Sequence, residues 1–336
     1  IADVEFHLVC ARVRPDLLST EKIGNITIHR VGFGRTFDKY LLPVLGTVKA
    51  LTLGSFDVVW SLMASYGGFA ALTYAWVRPK TKLLLTLQEG DPLEHYAKRT
   101  GWLTFLHKKI FERTDAVQAI SRFLADWSVK MGFKGKPDVV PNGVDIAKFT
   151  ARISSDRRRE LRSSYGFSDE DTVLVTASRL SLKNGVDDLI RSLLKLPNNY
   201  KVLIAGDGED RQKLEVLADQ KGLMSRVVFL GSKSHAELPA ILQSADIFIR
   251  ASLSEGLGNS FLEAMAAGLP IIGTPVGGIP DFLTDGETGV FCQPRDPDSI
   301  AAAVLRIQND PELHAKLAAD GERLVREKYG WEGIAI

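Results

Sequence analysis

"TVLVTASRLSLKNGVDDLI", residues 172–190, decides the fold. Its first six residues form an unbroken apolar and β-branched run rather than an alternating one, the pattern of a strand buried on both faces. A short polar loop with Arg179 and Lys183 follows, then Asn184-Gly185 and the start of a helical pattern. The same rhythm recurs along the chain. Strands are expected at 4–10, 26–31, 57–62, 82–87, 116–120 and 138–141, and again at 172–177, 201–206, 226–231, 246–251, 270–274 and 289–292. Helical segments such as 209–222 and 236–245 lie between them. Strand–helix alternation carried twice predicts an α/β protein of two Rossmann-like, doubly wound domains, residues 1–147 and 148–322. The break falls in the polar, Arg-rich stretch at 147–160. A last helix, about 323–336, is expected to return to the first domain. Open parallel sheets bind ligands beyond the carboxyl ends of their strands, so the expected site lies at those ends.

With 336 residues the chain exceeds one comfortable core, and its 45% apolar and 25% charged content is that of a globular protein. A formal charge of +1 argues against a dedicated nucleic-acid binder. Residues 1–150 carry 20 Lys+Arg against 14 Asp+Glu and the remainder 22 against 27, so the halves stand at +6 and −5. Cys10 and Cys292 form neither a disulfide framework nor a zinc spacing, and a reducing cytoplasm fits them best. The weakly polar run 264–280 holds three prolines and four glycines and cannot span a membrane as a helix. "VEFHLVC" already reads as a strand and Ile1 is not a natural start, so the first domain is expected to be truncated at its amino terminus. "GFGRTF" and "GDGEDR" each have Gly-x-Gly without a third glycine, which is a weak signal. No Walker motif, His-Glu-x-x-His, Gly-x-Ser-x-Gly or metal-ligand cluster is present, so no metal is expected.

"SEGLGNSFLEAMAAGLP", residues 254–270, sets Glu255 and Glu263 eight positions apart. Ser260 with Glu263 reads as a capping box, with Gly268 and Pro270 ending a short helix. That reading accounts for Glu263 but not for Glu255, nor for Gly256-Leu257-Gly258-Asn259 ahead of the helix. Glycines there let backbone approach a ligand, and the helix start offers free amides to a phosphate or a sugar oxygen. Arg179 and Lys183 at a strand end suit a diphosphate, one as a planar fork and the other as a point charge. Gly206 in "AGDGED" ends a further strand of the same domain.

These pieces, with "FLG…ELPAILQSADIFI", "PIIGTPVGGIPD…GETGVF" and "VVPNGVDIAKF", together resemble the retaining glycosyltransferases of family 4, whose Glu-x7-Glu signature stands here as Glu255 to Glu263. The resemblance covers nearly all of the second half and, more loosely, residues 57–150. It implies two facing Rossmann-like domains (GT-B) and a nucleotide-sugar donor, UDP- favoured over GDP-, held by the second domain. Arg179 and Lys183 would neutralise the donor diphosphate and favour its departure. Glu255 would hold the transferred sugar, and Glu263 would accept hydrogen bonds from the ribose. Gly256, Leu257, Gly258, Asn259 and Ser260 would line the donor. No cofactor beyond the donor substrate is required, the cations standing in for a metal.

The acceptor side is read at Gln88 and Glu89 in "LLLTLQEGDPLEHY", with Asn142 of "PNG". Many relatives carry a histidine at Gln88, which cannot serve as a base; Glu89 and Asp91 can, against a surface-loop reading. His95 reads as a loop residue. "KRTGWLTFLHKKIFER" (98–113) sets Trp102, Phe105, Leu106, Ile110 and Phe111 at helical spacing among five basic residues. It reads as a core-packed helix, with a membrane-surface helix as the alternative. The expectation is therefore a cytoplasmic retaining hexosyltransferase, peripheral to the inner face of the plasma membrane if its acceptor is lipid-linked rather than a saccharide, with no nucleic-acid partner. A nucleotide-sugar epimerase, a phosphorylase of the same architecture and a non-catalytic donor-binding subunit are the alternatives.

Overall fold

The computed structural model of the chain describes residues 4–91 and 104–334. The chain divides into two compact units. Among the described residues, the first takes the chain up to Glu89 and from 104 to Val140; the second takes Gly90 and Asp91 and runs from Pro141 onward.

The first unit holds two sheets. In one, β1 (Phe6–Ala11) pairs in parallel with β3 (Ile26–Val31), and β2 (Thr20–Ile23) pairs antiparallel on the outer side of β3. The other is wholly parallel, in the order β4 (Val58–Leu62), β5 (Lys82–Leu87), β6 (Ala116–Ala119), β7 (Asp138–Val139). Helix Asp38–Leu53 packs on β1 and β3, helix Tyr66–Val77 on β4 and β5, and the two helices lie against each other. β2 was absent from the sequence reading. "TEKI" is a largely exposed edge strand, formed because Gly24 at φ +59° turns the chain back into β3, and it has no buried face to give it an apolar run. Of the segment 98–113, helix Thr104–Arg113 turns His107, Ile110 and Phe111 into the core and Lys108 and Lys109 outward. The core-packing reading therefore holds for Ile110 and Phe111 but not for Phe105, which is exposed, while Leu106 is half-buried; Lys98, Arg99 and Trp102, like His95, lie outside the described residues.

The second unit is one parallel sheet of six strands: β8 (Thr172–Ala177), β9 (Tyr200–Ala205), β10 (Val227–Gly231), β11 (Ile247–Arg250), β12 (Ile271–Gly273) and β13 (Val290–Phe291). Their spatial order is β10-β9-β8-β11-β12-β13. All six residues of β8 are buried, as its unbroken apolar run requires. Leu174, Val202, Ile204, Ile247, Ile249 and Ile272 form the centre of a core closed by the helices on the sheet faces. Helix Pro311–Lys328 belongs to this unit and packs on helix Asn259–Ala266. The strand order reverses between β8 and β11, and at such a switch point the loops leaving the two strands diverge and open a crevice.

Candidate functional site

Both loops at that switch point carry residues singled out from the sequence. After β8, Ser178 to Asn184 folds into a tight turn in which Asn184 Nδ2 donates to the Arg179 carbonyl at 2.5 Å and to Ser181 Oγ at 3.3 Å. Gly185 follows at φ +63°, where a Cβ would stand 1.9 Å from the Ala251 carbonyl oxygen. Only glycine lets this loop close onto the end of β11, and Leu253 N–H donating to the Lys183 carbonyl (2.7 Å) holds it there. Gly206 plays the same part for β9: at φ +151°, its Cβ would lie 1.9 Å from the Ser178 carbonyl oxygen. Gly206 thus brings a third loop against the first.

Arg179 is exposed, and its guanidinium makes no hydrogen bond or ion pair among the described residues. Lys183 is half-buried; its ammonium pairs with Asp91 at 2.8 Å and donates to the Gly90 carbonyl at 2.9 Å. An ammonium has three donors, so one remains for a ligand. A Cβ placed on Gly90 would lie 3.4 Å from Lys183 Nζ, 3.6 Å from Glu255 Oε1 and 3.7 Å from the Gly256 nitrogen. The cation, the carboxylate and a backbone amide therefore surround one small volume.

The loop after β11 supplies the rest. Glu255 is largely buried, with Oε1 accepting from Gly256 N–H (3.1 Å) and Oε2 in an ion pair with Arg250 Nη2 (2.5 Å). Leu257 is fully buried beneath the loop, and Gly258, at φ +91°, turns the chain into helix Asn259–Ala266. The capping box is not formed. The N-cap is Gly258 without a side-chain cap, and Ser260 lies inside the first turn with its Oγ accepting from Arg250 Nη1 at 3.0 Å. Glu263 points away from Ser260, and its Oε1 accepts from His235 Nε2 at 3.0 Å. Lys148 Nζ meets the other ring nitrogen, His235 Nδ1, at 2.9 Å. Because an ammonium only donates, that contact fixes the neutral ring with its proton on Nε2, aimed at Glu263. Burial raises the Glu263 pKa, and His235 and then Lys148 partly offset the rise. The helix ends where expected: Gly268, at φ +77°, donates to Met265 and Leu269 to Ala264.

The acceptor-side residues belong to different units. Asn142 lies in the second unit, its amide donating to Asn259 Oδ1 at 3.4 Å. Gln88 and Glu89 lie in the first, Gln88 exposed and Glu89 fully buried. Glu89 Oε1 accepts from Ala64 N–H at 2.7 Å, while its Oε2 is buried without a hydrogen-bond partner among the described residues. Burial pushes its pKa up to about 7 against the backbone hydrogen bonds that lower it. His107 Nε2 lies 2.8 Å from the Ala64 carbonyl, so both polar groups of Ala64 are held beside Met63, whose φ is +68°.

Arg250, His235 and Lys148 were not assigned roles from the sequence. An arginine closing the apolar run "DIFIR", five residues before Glu255, was the available signal for the first. Nothing local marks the other two, since 87 and 28 positions separate His235 from its partners. Among the described residues no group of three or more His, Cys, Asp or Glu is placed to hold a metal ion, and no helix is long and apolar enough to cross a membrane.

Comparison with known proteins bears on this arrangement. Residues 157–324 match the model of the glycosyl transferases group 1, and residues 2–148 that of glycosyltransferase family 4. The chain is 34% identical over 202 residues to an uncharacterized glycosyltransferase of Methanocaldococcus jannaschii, covering 60% of this chain and 52% of that protein. It is 32% identical over 235 residues to a GDP-mannose-dependent alpha-(1-6)-phosphatidylinositol monomannoside mannosyltransferase of Mycolicibacterium smegmatis, covering 67% and 61%. The matched stretches thus span little more than half the length of these relatives. Among solved structures, Anabaena HepE in complex with UDP and glucose superposes with a TM-score of 0.79 at 18% identity, over 98% of this chain and 97% of that one, a likeness of fold. On these matches and its two Rossmann-like α/β units, the chain belongs to the glycosyl transferases group 1 family.

Proposed function

We propose that the protein is a retaining hexosyltransferase that moves a hexose from a nucleoside diphosphate sugar, UDP- favoured with GDP- as the alternative, to a saccharide or lipid-linked acceptor in the cytoplasm. One observation carries this reading: Lys183, Glu255 and the Gly256 amide surround one small volume at the β8/β11 switch point. Lys183, with its remaining donor, and the unpaired Arg179 would take the diphosphate, whose charge grows as the leaving group departs. Glu255, next to that volume, would accept hydrogen bonds from hydroxyls of the transferred hexose. Glu263, carboxylate-down on a proton-bearing His235, would accept from the ribose hydroxyls. The helix start at Asn259 and Ser260 would present amides to the phosphates. In the proposed front-face reaction, the bond from the anomeric carbon to the acceptor oxygen forms on the face where the bond to the phosphate oxygen breaks. The acceptor proton passes to that departing oxygen. HepE, which shares only the fold, holds UDP, whereas the Mycolicibacterium smegmatis relative is GDP-mannose-dependent, so a GDP-sugar stands as the alternative donor; the phosphatidylinositol monomannoside acceptor of that relative supports a lipid-linked acceptor.

A lipid-linked acceptor requires a face for the membrane. Helix Asp38–Leu53 and the turn before it expose Phe33, Phe37, Tyr40, Val44 and Val48. Positions 37, 40, 44 and 48 share one helix face. The one acid of this stretch, Asp38, is buried and accepts three backbone N–H groups, leaving Arg35, Lys39 and Lys49 as its other charges. This helix, rather than 104–113, is the proposed contact. The function is tested by incubating the protein with UDP-hexoses and an acceptor series and reading the product by NMR. An α-linked product from an α-linked donor supports the reading; a β-linked one refutes the retaining mechanism.

A further inference from the structure

Arg250 sits under the proposed donor site without belonging to any motif there. It is the last residue of β11, its side chain 11% exposed. Its guanidinium reaches three groups, two on separate loops and one in the first turn of helix Asn259–Ala266: Glu255 Oε2 at 2.5 Å, Asn184 Oδ1 at 2.8 Å and Ser260 Oγ at 3.0 Å. Its Nε is buried without a hydrogen-bond partner among the described residues, and its Cζ lies 5.9 Å from the Phe261 ring centroid. Asn184 in turn ties down the Arg179 carbonyl and Ser181, so the loop carrying Arg179 and Lys183 is fastened to the loop carrying Glu255 through one side chain.

The electrostatics set a problem that this arrangement solves. Glu255 is largely buried and stands beside the volume next to Lys183 and the Gly256 amide. An uncompensated carboxylate there would repel a diphosphate and cancel the attraction of Lys183, itself already paired with Asp91. A buried charge left without its partner is strongly unfavourable, whereas a paired one is close to neutral at short range.

We propose that Arg250 is a positioning residue that neutralises Glu255 and holds its carboxylate between the guanidinium and the Gly256 amide, so that the site accepts the negative charge of a nucleoside diphosphate while Glu255 stays available to the sugar. This rests on the donor-site reading above. The step beyond it is that the charge of residue 250 acts on the ligand through residue 255.

The test is calorimetric titration of UDP and GDP into wild type, Arg250→Met, Arg250→Lys, Glu255→Gln and the double variant Arg250→Met/Glu255→Gln, with circular dichroism confirming each fold. Arg250→Met is expected to weaken binding of the preferred nucleotide by about tenfold or more, the scale of leaving a buried charge unpaired. Arg250→Lys keeps the charge and should remain within about threefold of wild type. Removing the stranded charge should rescue affinity, bringing the double variant to within about threefold of Glu255→Gln alone. A purely structural Arg250 gives no rescue. A double variant as weak as Arg250→Met overturns the proposal, and so does Arg250→Met binding like wild type. If Arg250→Met does not fold, the lysine and double variants decide, because a tenfold loss in Arg250→Lys equally refutes charge neutralisation. Wild type binding neither nucleotide overturns the donor-site reading itself, an outcome distinct from wild-type binding with the wrong pattern among the variants.

Discussion

Replacing Glu263 by alanine tests whether the second glutamate of the pair serves a ligand or only its own helix. In the structure it caps nothing; it accepts one hydrogen bond from His235 and its side chain is 14% exposed. Two ribose hydroxyls donating to this carboxylate would each contribute about 1.5 kcal/mol, the low end for a bond to a charged acceptor, because the site is already partly satisfied. Together they amount to about 3 kcal/mol, or roughly a hundredfold in affinity. Titration calorimetry with UDP and 2′-deoxy-UDP on wild type and Glu263→Ala measures it as a cycle. Wild type should prefer UDP over the deoxynucleotide by about tenfold, one hydrogen bond's share, and the variant should bind both equally. UDP binding unchanged in Glu263→Ala, or a variant that still discriminates the 2′-hydroxyl as wild type does, refutes the ribose assignment.

Two further outcomes follow from the first unit. Burial pushes the Glu89 carboxyl up to about 7 in the folded state against an ordinary 4.5, so between those pH values the folded state holds a proton that the unfolded chain has released. Stability therefore falls as pH rises through this window. Glu89→Gln should remove that slope, which amounts to about 3 kcal/mol in full; urea denaturation of both proteins at pH 4.5 and 7.5 reads it, and parallel pH profiles would show that Glu89 is not the group responsible. Wild-type protein should co-sediment with phosphatidylglycerol vesicles more than with phosphatidylcholine ones, and Tyr40→Ser/Val44→Ser/Val48→Ser should abolish the difference at unchanged thermal stability. Sedimentation indifferent to the triple substitution would remove the helix Asp38–Leu53 from the membrane reading.

Much of this protein is legible in its sequence, for reasons that differ from feature to feature. The parallel strands announce themselves because burial on both faces demands apolar residues without interruption, so "TVLVTA" and "KVLIAG" cannot be mistaken, and Gly268 stops its helix by backbone geometry alone. The candidate site loops are read at the strand ends because strand ends carry ligands in such sheets. What failed was whatever depended on where a side chain points. Ser260 and Glu263 have the spacing of a capping box, yet Arg250 takes the hydroxyl and His235 the carboxylate, because tertiary partners outcompete a local cap. Glu89 and Gln88 are neighbours in the chain, but alternation at the end of β5 buries one and exposes the other, and only that burial carries the carboxyl pKa to about 7. The sequence by itself determined the two α/β repeats, the family and the list of loops at the strand ends from which the site is proposed. The tertiary structure alone decided which charges meet: Lys183 with Asp91 across 92 positions, His235 with Glu263 across 28, and one arginine joining Glu255 to Asn184. Backbone conformation answers to local pattern, whereas electrostatic pairing answers to distance in space, which the sheet order sets and chain order does not.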